Sequence, residues 1–162
     1  PTTKDDYGRY KVRCERRILD VNPQSLIVRI GWQMDLQGGG NNMVQQLTDQ
    51  HRQQGHINAS ELWIPAASLM PDTVAVTWGL LDRGAQGVHH LDSNAESALN
   101  FVELVTLLAN ALGQNWKIHP NQEYKHDQRL VDPRVNMPSL KERLIDCNTW
   151  NKPNTMQNEP HI

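Results

Sequence analysis

The sequence is short of the groups that announce the commonest chemistries. Its two cysteines, Cys14 and Cys147, stand far apart in neither metal nor redox spacing, which reads as a reduced, cytoplasmic protein. The seven histidines never form H-x-x-x-H or sit beside a cysteine cluster. The adjacent His89 and His90 point to opposite faces of a strand, so no metal site is expected. G-x-S-x-G is absent, which removes the nucleophile elbow of Ser-His-Asp hydrolases. The apolar runs are too short and too interrupted to span a bilayer, and nothing reads as a signal peptide. A membrane is therefore not expected as a partner. Charge of one sign is lacking too: 16 Lys+Arg face 18 Asp+Glu, for a net charge of -2. The densest basic cluster, Lys11 to Arg17, is broken by Cys14 and Glu15 and spreads around a helix, so nucleic acid is not expected either. No internal repeat is visible.

What is present is an alternation of helical and extended segments. Asp5 to about Val21 reads as a helix, with Asp5 or Asp6 as its N-cap and Asn22-Pro23 as its stop. Ser25 to Ile30 is a short apolar run rich in β-branched residues without clean alternation, as expected for a strand covered on both faces of a parallel sheet. Gly31-Trp32-Gln33 leaves that strand at its C-terminal end, the side on which open α/β sheets bind ligands. Gly38-Gly39-Gly40 reads as a flexible loop and lacks the surroundings of a phosphate-binding loop. Asn41 or Asn42 caps a helix through Gln54, and Gly55 ends it.

A short strand at His56 to Ala59 leads into the segment Ser60 to Ala66. Ser68 or Pro71 then opens a helix with Met70, Val74, Trp78 and Leu81 on one apolar face. Gly87 to Leu91 reads as a strand, and Ser97 to Leu112 as a helix whose Phe101, Val105, Leu108 and Leu112 form a core stripe. Trp116 to His119 is a further strand and Leu140 to Cys147 a short helix. Residues 1–147 thus form one α/β unit with parallel pairing. The polar stretch 148–162 is expected to lack fixed structure.

Tyr7 and Lys11 are the pair on which a chemical reading rests. Four residues apart on a helix, they project from one face. A free tyrosine, with a pKa of about 10, is a poor proton donor or acceptor at pH 7. A cation held close favours the phenolate and brings a phenol toward useful acid–base work. A Tyr–Lys pair on a solvated face is the plain alternative. Trp32 reads either as a core aromatic or as a stacking wall for a ring. Asp82, Asp92, Glu96 and Glu103 read as helix-end or solvated carboxylates without further role.

Taken together, Tyr7-x-x-x-Lys11 followed by Glu15, Leu26 to Trp32, and Gly40-Asn41-Asn42-Met43-Val44 resemble the C-terminal half of an extended short-chain dehydrogenase/reductase. The nearest resemblance is to the dTDP-4-dehydrorhamnose reductase-like group, with Y-G-x-x-K-x-x-x-E, R-x-x-W and G-N-N-F in that order. Gly87 to Leu91 resembles the group's G-x-Y-H-L strand, and Arg134 to Leu140 its R-P-x-x-S-x-L segment. The resemblance covers about residues 1–145. It implies an α/β fold: the C-terminal part of a Rossmann-like, doubly wound parallel sheet with the substrate-binding subdomain. It also implies NADPH- or NADH-dependent reduction of a nucleotide-activated 4-keto sugar. Tyr7 would be the proton donor. Lys11 would hold the nicotinamide ribose, so that both residues contact the cofactor. Trp32 would stack on the sugar, and Arg134 would lie near the nucleotide-sugar site.

The chain departs from the group's pattern in three places. D-Q-x-G-x-P-T appears as Ser60 to Ala66 with only the proline kept, and Val135 and Pro138 replace the proline and serine of R-P-x-x-S. The glycine-rich G-x-x-G-x-x-G turn and the triad Ser/Thr belong upstream of Tyr7, so a further N-terminal piece is expected. Without it the strand at Ser25 to Ile30 would show an unpaired apolar edge, and NAD(P)H would bind poorly. The resemblance leaves open the exact sugar, the oligomeric state (a homodimer among the choices) and a second reading, a non-catalytic regulatory or scaffold subunit of the same fold.

Overall fold

A computed structural model describes residues 6–36 and 42–150, the last four by backbone alone. The expected Asp5 and Asn41 caps, the Gly38 to Gly40 loop and the stretch from 151 onward lie outside the described residues. Helix α1 (Asp6–Val21) leads to β1 (Leu26–Ile30) and β2 (Trp32–Met34), then to α2 (Met43–Gln54). Three short strands follow, β3 (Ile57–Ser60), β4 (Trp63–Ile64) and β5 (Ala67–Leu69), running straight into α3 (Met70–Asp82). The chain ends with β6 (Gly87–Leu91), α4 (Phe101–Ala111), β7 (Ile118–Asn121), β8 (His126–Asp127) and α5 (Leu140–Trp150).

Every ladder among the described residues is parallel, as the alternation of elements predicts. The strands pair β1–β6, β2–β5, β3–β7 and β4–β8, with Val28 opposite His89 in the first and Trp32 opposite Ala67 in the second. Each pair is separated in sequence by at least one helix or several strands, as parallel partners require. Among the described residues β1 pairs only with β6, so its other edge carries no ladder. The expected cover on both faces is not found: β1 is half-buried along most of its length and Ile30 is exposed.

The core lies on the other side of the molecule. Leu104, Val105 and Leu108 of α4 and Leu140 and Leu144 of α5 meet Met43, Val44 and Leu47 of α2 and Ile57 and Ala59 of β3. Local signals set the ends of these helices. Asn42 caps α2 by accepting from the Val44 amide, and Gly55 stops it at φ 73, a left-handed conformation that costs a glycine nothing. Asn100 and Glu103 form a reciprocal capping box on α4. That cap, preceded by Ala98 at φ 48, starts α4 at Phe101 rather than at Ser97.

Two further expectations change. Helix α5 continues through Trp150, past the expected boundary at Cys147. Asp92 is not a solvated carboxylate: it is buried, and its two oxygens accept from the amides of Ala67, Asn94 and Leu130. One carboxylate thus ties the start of β5 to the end of β6 and to the segment after β8. Burial pushes its pKa up, and the three amide donors oppose that push.

Candidate functional site

The candidate site forms where the first turn of α1 meets the end of β1. Tyr7 and Lys11 share the α1 face turned to this crevice, and the Lys11 ammonium lies 5.4 Å from the centroid of the Tyr7 ring. Tyr7 itself is 72% exposed. It lines two cavities at once. One, of about 560 Å³, is shared with Gly8, Lys11, Val12, Val28, Ile30 and Leu130. The other, of about 440 Å³, is shared with Gly31, Trp32, Gln33, Met43 and Gln46. The phenol therefore borders a chamber that holds the Lys11 ammonium and the Arg29–Glu15 pair among apolar residues, and a chamber lined by an indole and two amides.

Helix α1 is held to the strands by polar contacts, since it buries no residue. Arg29 of β1 donates from Nε and Nη2 to the two Glu15 oxygens at 2.9 and 2.6 Å, a two-pronged charged pair. Each partner shifts the other: Arg29 holds the Glu15 carboxyl below its ordinary value, and Glu15 raises Arg29. Arg29 Nη1 also lies 3.3 Å from His90 Nε2 on β6. Burial pushes His90 down and the Arg29 charge pushes it further, which suits an imidazole accepting at Nε2.

Trp32 leaves β1 at its C-terminal end and stays 38% exposed. It packs against other aromatic rings and also lines the cavity. Trp63 meets it edge-on at 5.2 Å, and Phe101 does so at 6.2 Å. Trp63 is fixed by a 2.8 Å hydrogen bond from Nε1 to Gln128 Oε1 and by edge contact with Tyr124. The backbone is clamped as well: the Trp32 amide donates to the Ala66 carbonyl at 2.8 Å. A Cβ on Gly31 would lie 2.2 Å from that same oxygen, so only glycine allows the approach.

Sequence reasoning missed this aromatic backing. Trp63 lies in Ser60 to Ala66, a segment that keeps only the proline of the pattern it was compared with. An indole at that point was the available signal. It missed Gln33 too, a polar side chain in a half-buried strand.

Arg134 lies elsewhere. Its Nε and Nη2 donate to the Asp132 oxygens at 2.8 and 2.7 Å, and Nη2 also donates to the Val88 carbonyl. These bonds hold Asp132 well below the usual carboxylate range. Asp132 in turn accepts from the His90 amide. Arg134 lines a third cavity, of about 490 Å³, with His90, Asp92, Ser93 and Ser139. Leu130 borders both this cavity and the Lys11 chamber. The structure thus brings Tyr7, Lys11 and Trp32 to one place and sets Arg134 in an adjoining one. Among the described residues no group of three or more His, Cys, Asp or Glu side chains is arranged to hold a metal ion. No helix there is long and apolar enough to cross a membrane.

Parallel strands crossed over by helices, with a Tyr–Lys helix at the strand ends, define an α/β, Rossmann-like fold. By sequence, no family model and no curated protein matches the chain. Solved structures do. The dTDP-4-dehydrorhamnose reductase of Bacillus anthracis, in complex with NADP, superposes with a TM-score of 0.73 at 17% identity, covering 94% of this chain and 57% of that one. The corresponding protein of Clostridium acetobutylicum gives 0.69 at 17% identity, covering 92% and 56%. The dTDP-glucose 4,6-dehydratase of Bacillus anthracis, in complex with NAD, gives 0.61 at 12% identity, covering 92% and 52%. The chain has the fold of these sugar-nucleotide enzymes and spans a little over half their length.

Proposed function

We propose that the chain carries the catalytic helix and substrate-binding part of an NAD(P)H-dependent reductase acting on the 4-keto group of a nucleotide-activated sugar. One observation carries this reading: Tyr7 borders the Lys11 chamber and the Trp32 chamber together. A group that must reach both a reduced cofactor and a ketone needs that position.

The residues around Lys11 fit the nicotinamide-ribose end of such a cofactor. Val12, Val28, Ile30 and Leu130 offer apolar surface to a planar ring, and the ammonium is a donor for ribose hydroxyls. When bound, the cofactor supplies the hydride; the protein supplies position and a proton. Lys11 fixes the ribose and stabilises the phenolate that Tyr7 leaves behind. Tyr7 donates its proton to the carbonyl oxygen. Trp32, braced by Trp63 and Phe101, holds one face of the sugar ring. Arg134 serves the nucleotide end from the adjoining cavity. The solved neighbours with NADP and NAD support the cofactor class, and the dTDP-sugar enzymes among them support the substrate class.

Tyr7→Phe in the complete protein tests the reading. NADPH oxidation with dTDP-4-dehydrorhamnose should fall by about 10²–10⁴-fold while cofactor binding persists. Unchanged turnover would remove Tyr7 from the chemistry. The absence of turnover in the unaltered protein would favour the second reading, a non-catalytic subunit, which the departures in Ser60 to Ala66 support.

A further inference from the structure

We propose that Gln33 is a specificity-determining residue that accepts a hydrogen bond from a hydroxyl of the bound sugar. This rests on the reading of the Trp32 chamber as the sugar site. Gln33 Oε1 is buried and has no hydrogen-bond partner. Native structures leave few such atoms, and one beside a cavity points to a partner that arrives with a ligand.

The orientation of the amide is set by its other end. Nε2 donates to the Gly31 carbonyl at 3.3 Å. Exchanging the two amide atoms would bring Oε1 against that carbonyl, two acceptors face to face, so the oxygen is the atom left over. Gly31 cannot move away to relax the arrangement, because its backbone is pressed against Ala66.

The chamber suits the ligand. Its volume of about 440 Å³ lies within the range usual for small-molecule sites. The Trp32 indole, a flat face for a sugar ring, lines it together with Tyr7. A hydroxyl-bearing ring held there brings donors to the strand, and Oε1 reaches one of them by a turn of the broad terminal torsion that exchanges the long 3.3 Å bond to Gly31 for the bond to the sugar. Leucine in place of Gln33 would hold the same ring but not read its hydroxyl. Discrimination then follows from chemistry: a site with a waiting acceptor favours the hydroxylated sugar over its deoxy counterpart, because the counterpart leaves the acceptor unpaired.

The experiment is calorimetric titration of the protein with dTDP-rhamnose and with its 2-deoxy and 3-deoxy forms. The unaltered protein should prefer dTDP-rhamnose over one of the deoxy forms by about tenfold or more. In Gln33→Leu that preference should shrink to within about twofold. Gln33→Met repeats the test in a flexible side chain of similar length, with thermal unfolding confirming that each variant is folded. Equal preference in the unaltered protein and in Gln33→Leu overturns the role of Gln33 and leaves the sugar site standing. Failure of the unaltered protein to bind any of the three sugars overturns both.

Discussion

Two sides of this molecule bury their apolar residues very differently. On one side, α2, α4 and α5 close over β3 and β7, and Leu104, Val105, Leu108 and Leu140 have no exposed surface. On the other, α1 buries nothing, and Tyr7, Tyr10, Ile18 and Val21 are exposed. Helix α3 resembles α1 in leaving much of its apolar surface uncovered. Its apolar face, Met70, Val74, Trp78 and Leu81, reads in the sequence like a packing face, yet Trp78 is 71% exposed. The residues α3 buries are Asp72, Thr73 and Leu80, with Asp72 paired to Arg143 of α5 at 2.9 Å. The first side is held by packing and the second by ion pairs and strand contacts. Tyr7 and Lys11 stand on the second. The proposed chemistry therefore sits on the half that contributes least to the core, where groups for binding remain accessible.

The comparison sharpens first at the core. Leu108→Ala should lower stability to urea by about 3–5 kcal/mol, because it removes a fully buried side chain and leaves a cavity. Ile18→Ala, a similar truncation on α1, should change it by about 0.5 kcal/mol or less. Equal losses at the two sites would break the contrast.

The junction between the two sides should show an intermediate effect. Asp92→Ala leaves the amides of Ala67, Asn94 and Leu130 without their acceptor and should cost about 2–4 kcal/mol in the same measurement. The raised pKa of Asp92 gives a sign to check. A raised carboxyl favours folding below its unfolded pKa, and that contribution is lost as pH rises through the folded value.

A smaller effect than at Asp92 belongs to the pair that ties α1 to β1. Glu15→Gln should cost about 1 kcal/mol at pH 7. Here the pKa is depressed by Arg29, so the contribution is fully present above the ordinary value of 4.5 and is lost as pH falls through the folded value. Unfolding midpoints of the two proteins should therefore converge in acid. A gap that stays constant down to pH 3 would show that the ion pair is not its source.

Much of the fold was legible because its signals are local. The Asn42 cap and the Gly55 stop are fixed by the chemistry of one or two residues, so they fall where the sequence predicts. Parallel pairing follows from alternating helices and apolar strands. The start of α4 was misplaced because Ser97, Ala98 and Leu99 read as the opening of a helix and do not show that the cap is Asn100, which the reciprocal bond with Glu103 makes evident. Asp92 was misread for a related reason. The residues that directly follow it are polar, and two of the three amides it serves come from residues 25 positions before it and 38 after it.

The candidate site divides along the same line. The Tyr7–Lys11 pairing is a property of one helix, so four-residue spacing is enough to reveal it. Strand β1 ending at Gly31-Trp32 is likewise readable from composition and order. What the sequence could not decide is which surfaces meet. Trp63 stands behind Trp32 because β4 pairs with β8 and Gln128 holds the indole, contacts spanning more than sixty residues. Arg134 is committed to Asp132 and the Val88 carbonyl because the segment after β8 returns to β6. The orphan oxygen of Gln33 depends on the backbone clamp between Gly31 and Ala66. Helix ends, periodicity and the Tyr–Lys face are short-range and were determined by the sequence itself. Burial, partner choice and the walls of the cavities arise from distant segments brought together, and only the tertiary structure decided them.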